Sequence, residues 1–235
     1  MLHRKRNKLI FLLAAAWCVW QPAAFAGQPS DVAKAIAIQN SGRVKAFDSF
    51  CRQTVETITG HERWNRTDAV TLVLNAVAMD DKLIDLPWVQ VNHAPLRRAL
   101  GLAGDKRYFS YGELLPSLPK IKAFMKSAKE KRDAEKSTDA VEKEAESLYA
   151  RLVAVKDLMT GDSLQVLPPA DDKTDDWVSP YQNTRPHAAE FKELVRLFSE
   201  KKWEEFSAQA SRWTGWVDEA TGGATRRTLQ WEVLY

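Results

Sequence analysis

Residues 119–160 read PKIKAFMKSAKEKRDAEKSTDAVEKEAESLYARLVAVKDLMT, and this stretch decides the fold class. Ile121, Phe124, Met125 and Ala128 form a short apolar stripe at helical spacing. After an almost wholly charged run from Lys129 to Lys136 the stripe resumes at Val141, Ala145, Leu148, Leu152, Val155 and Met159. Alternating steps of four and three are the rhythm of a helix packed along one side. Asp139 followed three residues later by Glu142 fits a capping box. The stretch therefore predicts either a helical hairpin broken near Ser137 or one long helix with a solvated middle. The charge run itself reads as a solvated face.

Toward the C-terminus, Leu164 to Leu167 predicts a short strand ended by Pro168 and Pro169. An acidic, polar segment follows, and residues 170–186 are the best candidate for a linker. A C-terminal helical pair is expected beyond it. Phe191, Leu194, Val195 and Phe198 line one helix; Trp203, Phe206, Ala210, Trp213 and Val217 line the next. Residues 27–169 would form an N-terminal, mainly helical domain, and residues 187–235 the pair.

Toward the N-terminus, Ile36 to Lys45 alternates around Asn40-Ser41-Gly42, which suits a tight hairpin with Gly42 at positive φ. Asp48 is placed to N-cap a helix from Ser49 to about Thr59, and Gly60 to end it. Thr67 or Asp68 opens a second helix. Its apolar residues Val70, Leu72, Val73, Leu74, Ala76 and Val77 face most directions, so it belongs near the centre of the fold. Trp88–Val91 and Arg107–Tyr111 read as short strands around a short helix from Pro95 to Leu100. The fold class expected is mainly α with a small β component: an N-terminal hairpin, a helical bundle and a C-terminal helical pair.

Residues 1–26 have the form of a secretion signal: a basic start, a 12-residue apolar run from Leu9 to Trp20, and Ala24-Phe25-Ala26 as the cleavage pattern. The run is shorter than the roughly 20 residues a spanning helix needs. The chain is thus expected to be periplasmic, with inner-membrane association as an addition. The whole chain carries 34 Lys+Arg against 31 Asp+Glu. Four of the bases lie in residues 1–26, so the remaining 209 residues carry 30 bases and 31 acids. A near-neutral, mixed-sign surface argues against a nucleic-acid partner. Cys51 is then the single cysteine left and, inside a helical pattern, reads as a small core residue.

Chemistry-bearing motifs are sparse. His61, His93 and His187 stand far apart in the sequence and form no metal-ligand pair. There is no nucleophile elbow, no phosphate-binding glycine loop and no Cys-x-x-Cys-His for covalent haem. Asp80, Asp81 and Asp85 are acids that a hydrolase would use, but at a helix end before Pro87 they read as solvated loop residues. No catalytic residue and no metal site are assigned, and the chain is expected not to be an enzyme. Trp213-Thr214-Gly215-Trp216-Val217-Asp218 suggests an apolar platform for haem through Trp213 and Trp216. The competing reading puts Trp213 and Val217 into a helix pair with Trp216 shielding the edge.

The segment Ile36-Ala37-Ile38-Gln39-Asn40-Ser41-Gly42-Arg43-Val44-Lys45-Ala46-Phe47-Asp48-Ser49-Phe50 resembles one in large bacterial cytochrome c biogenesis proteins. These form the CcsA/ResC (CcsB-type) family of system II assembly, whose segment runs approximately I-P-V-Q-D-G-G-R-V-K-P-L-D-T-F. Ile58-Thr59-Gly60 matches its following I-T-G. Leu100-Gly101-Leu102, Arg107 to Leu114, Trp203-Glu204-Glu205-Phe206 and Glu232 to Tyr235 resemble later parts of the family's extracytoplasmic region. Ala37 and Ala46 stand where the family has prolines and Asn40 where it has an acid, and its multi-helix haem-handling membrane part has no counterpart here.

The resemblance implies an accessory or split subunit of cytochrome c assembly that acts by docking. Its implied partners are a CcsA-like membrane haem-handling protein and apocytochrome c. No cofactor would be bound covalently, and haem would be reached through the partner. Gln39, Arg43, Lys45 and Asp48 on the hairpin are the candidate partner-binding residues, and Arg43 has the fork to pair with a carboxylate or haem propionate. A local reading has Gly42 making the turn, Asp48 capping its helix and Arg43 bridging within the domain. A periplasmic binding or scaffolding module unrelated to haem is the alternative function.

Overall fold

The computed structural model describes residues 28–170, 175–225 and 229, apart from the side chains of 79–81. The secretion-signal segment, the acidic run 171–174 and the terminal Glu232–Tyr235 motif lie outside the described residues. The protein is mainly helical with two small antiparallel hairpins, as the sequence predicts.

After a turn of 3-10 helix at Pro29–Ala33, strands β1 (Ala37–Asn40) and β2 (Arg43–Ala46) lead directly into helix α1 (Phe47–Thr59). Helix α2 (Ala69–Met79) follows, opened by Asp68, whose Oδ1 accepts the Thr71 N–H at 3.0 Å. It is the central helix expected: Val70, Val73, Leu74 and Ala76 are buried, and it packs against α1, α6 and α7. Strand β3 (Val89–Gln90), helix α3 (Ala94–Leu100), strand β4 (Tyr108–Phe109) and the single turn α4 (Tyr111–Leu114) come next, and β3 pairs with β4.

The stretch 119–160 is a helical hairpin, not one long helix. Helix α5 (Leu118–Asp133) and helix α6 (Ala140–Thr160) pack side by side. Glu135 breaks the chain at φ 56°, in the left-handed region. Asp139 then restarts it with the capping box, its Oδ1 accepting the Glu142 N–H at 2.9 Å while the Glu142 Oε2 accepts the Asp139 N–H at 2.9 Å. The α6 stripe is buried at Ala145, Leu148, Leu152 and Val155. In the last turn Leu158 replaces Met159 as the fully buried residue.

Helices α7 (Pro186–Ser199) and α8 (Trp203–Ala220) form the C-terminal pair. Phe191, Leu194, Val195, Phe198, Phe206, Ala210, Trp213 and Val217 are buried as predicted, whereas Trp203 is 39% exposed with its edge on Phe198. The expected strand at 164–167 is reduced to a single bridge, Leu167 with Val178. Helix α7 packs on α2, so one apolar core runs from Ala33 to Leu229. Cys51 lies wholly inside it. Burial, with Asp48 and Asp68 adding, pushes its thiol well above the ordinary value, as a structural cysteine should be. Among the described residues no helix is long and apolar enough to cross a membrane.

Candidate functional site

The N-terminal hairpin is built by a two-residue turn. Ser41 (φ 54°) and Gly42 (φ 74°) both sit in the left-handed region, which a type I′ turn requires, and Asn40 pairs with Arg43 across it. The register Ala37–Ala46, Ile38–Lys45 and Gln39–Val44 follows. On its other edge β1 is held by the segment after α6, where the Gln39 N–H donates to the Gln165 carbonyl at 2.9 Å. Strand β1 is therefore held on both edges, by β2 and by the Gln165 segment, one residue short of the turn, and the tip itself is exposed.

The four hairpin candidates divide. Gln39 is buried: its Nε2 donates to the Asp175 carbonyl at 2.8 Å and its Oε1 accepts the Trp177 N–H at 2.8 Å. Lys45 Nζ donates to Asn40 Oδ1 at 3.1 Å and Gln53 Oε1 at 2.9 Å. Asp48 pairs with Arg52 at 3.0 Å, one helical turn on. Arg43 is exposed at the tip, and its guanidinium has no hydrogen bond or ion pair among the described residues.

Asp48 does not cap α1, contrary to the sequence reading. The helix begins at Phe47, and the N-cap residue is Ala46, which makes no side-chain cap. The first N–H groups already have partners: Phe47 donates to the Ile36 carbonyl at 2.8 Å and Asp48 to the Lys34 carbonyl at 3.2 Å. The chain just before the ribbon thus does the work of a cap, and the Asp48 carboxylate is left to Arg52.

The two candidate haem-contact tryptophans stand on α8. Trp213 is fully buried, edge-on to Phe191 at 5.1 Å and tilted against Trp216 at 5.0 Å. Its ring offers no face to solvent. Trp216 is half-buried and stacks on His187 at 3.9 Å and 23°. This is the packed arrangement, with Trp216 covering the edge of Trp213. Among the described residues no group of histidines, cysteines and carboxylates is placed to hold a metal ion.

Sequence reasoning missed two arginines, Arg97 buried and Arg151 half-buried. Arg97 donates to the carbonyls of Val91 (2.8 Å), Asn92 (2.7 Å) and Gly104 (3.3 Å), tying the ends of the β3–β4 connection to α3. Arg151 on α6 donates to the carbonyls of Thr57 (3.3 Å) and Gln90 (3.1 Å), joining α1 to β3, and burial draws its pKa below the ordinary value. Their partners are backbone groups, so residue types in sequence gave no signal. No protein-family model and no curated protein matches the chain.

Proposed function

We propose that this protein is a periplasmic docking subunit of cytochrome c assembly, presenting its N-terminal ribbon to a CcsA-like membrane haem-handling protein or to apocytochrome c. The observation that carries the reading is the ribbon itself. The segment from Ile36 to Phe50 resembles the biogenesis family, and its hairpin, braced along β1, carries at its exposed tip Arg43, unpaired among the described residues. A guanidinium held out on a rigid two-strand support keeps its side-chain fork free for a carboxylate or haem propionate. Gln39, Lys45 and Asp48 then serve by holding the ribbon in shape, and Arg43 makes the contact. Haem enters through the partner.

Deleting the gene and staining membranes for covalent haem tests this. Loss of c-type cytochromes supports it, with restoration by the wild-type chain and not by Arg43→Glu. Unchanged cytochrome levels would overturn it. Affinity capture separates the alternative: a CcsA-like membrane protein is expected, and recovery of unrelated envelope proteins alone would instead indicate a scaffolding module with no link to haem.

A further inference from the structure

A cavity of about 630 Å³ lies between α8 and the chain that precedes the hairpin. Val32, Ala35 and Ala37 form one wall; Thr214, Gly215 and Asp218 of α8 form the other. The volume falls within the roughly 300–1,000 Å³ of small-molecule sites. The lining is mostly apolar, and no Lys, Arg or His is among the described residues that line it.

Two features distinguish the cavity from a packing fault. One is Gly215, in the middle of α8. A mid-helix glycine costs about 1 kcal/mol relative to alanine. No close approach demands it, because a Cβ built there would meet no neighbouring atom within 4 Å. Its effect is to leave the space open.

The second feature is the polar inventory. The hydroxyls of Ser211 and Thr214 are hydrogen-bonded to helix carbonyls at 2.9 Å each, and Thr225 Oγ1 lies 3.0 Å from Thr221 Oγ1. Asp218 is the one charged side chain among the described residues lining the cavity, and its Oδ1 has no hydrogen-bond partner among the described residues. A carboxylate in a mostly apolar lining with no cationic neighbour there favours a ligand N–H or ammonium, which would give it a charge-assisted bond.

We infer that this cavity binds a small amphiphilic amine, its apolar body lying between Gly215 and Val32/Ala35 and its ammonium on Asp218. The site is separate from the ribbon tip and does not depend on the docking role proposed above.

Calorimetric titration of the full chain with naphthylmethylammonium and with naphthylacetate, a near-isosteric cation and anion, tests the inference. The cation is expected to bind roughly tenfold or more tightly than the anion. Asp218→Asn should remove that preference while keeping the naphthyl affinity. Gly215→Leu should abolish binding of both probes while leaving the melting temperature undiminished, since it removes a helix-interior glycine. No binding of the cation, equal binding of the two probes by the wild type, or undiminished binding by Gly215→Leu in a folded chain would each overturn it.

Discussion

The carboxylate of Glu142 lies 2.6 Å from the ammonium of Lys131, joining α6 to α5 across the helical hairpin. Glu142 is 2% exposed and also accepts the Ser127 hydroxyl at 2.7 Å. A sequence stretch that looks like solvated charge therefore contains a buried acid that helps fasten its two helices, beside the exposed Arg132–Glu146 pair, and shares with Asp139 the capping box of the second.

That contact predicts an acid-sensitive hairpin. The Lys131 ammonium, first, and the Ser127 hydroxyl hold the Glu142 carboxyl below its ordinary value of 4.5. A depressed carboxyl stabilises the fold above its unfolded pKa, and that contribution is lost as pH falls through its folded pKa. Urea unfolding of wild type and Glu142→Gln should differ clearly at pH near 7 and converge as pH falls below about 4. Equal stability at neutral pH would contradict the assignment.

Gln39 is expected to act through structure. Gln39→Ala leaves the Asp175 carbonyl and the Trp177 N–H without their partner in a buried place, which should cost about 1–3 kcal/mol. Gln39→Glu keeps an acceptor for Trp177 but turns a carboxylate oxygen toward the Asp175 carbonyl, and should cost at least as much. Denaturant midpoints at constant slope read both.

Arg43 should behave in the opposite way. Arg43→Ala at the exposed tip is expected to change stability by less than about 0.5 kcal/mol while lowering capture of the membrane partner proposed above. A large loss of stability would show that the side chain bridges within the domain.

For the tryptophans, Trp213→Ala should cost about 3–5 kcal/mol by emptying the α7–α8 core. Trp213→Phe should cost much less, because the buried Trp213 Nε1 has no partner to lose among the described residues. Soret titration with haem should be unaltered by Trp213→Phe if the residue is purely a packing element.

Two glycines separate turn strain from steric strain. Gly42 (φ 74°) has open space where a Cβ would go, so Gly42→Ala carries only the left-handed penalty of roughly 1–2 kcal/mol. Gly161 (φ 70°) ends α6 with the Tyr181 ring packed against it, and a Cβ there would run into that ring. Gly161→Ala should therefore lower the melting temperature more than Gly42→Ala.

What could be read from sequence was local. The Ser41-Gly42 turn and the Asp139–Glu142 box each lie within one turn of chain, and both are where their spacing puts them. The helix stripes of α7 and α8 needed only periodicity. The Asp48 cap failed because the Phe47 and Asp48 N–H groups found carbonyls at Ile36 and Lys34, across the ribbon's root. Gln39 reads as a surface polar residue until Asp175 and Trp177 arrive beside it, 136 and 138 residues downstream. The Asp218 cavity has walls from opposite ends of the chain, and no linear pattern marks it.

The Gln39 strap also sets an order of events. A chain emerging N-terminus first can close the Ser41-Gly42 turn early, but the ribbon's outer edge stays open until Gln165 and Trp177 follow. The ribbon is then braced only when most of the polypeptide has been delivered. A fragment ending before Trp177 should therefore carry the tip's residues yet present them on an unbraced support, and under the docking role proposed above it should compete poorly with the whole chain.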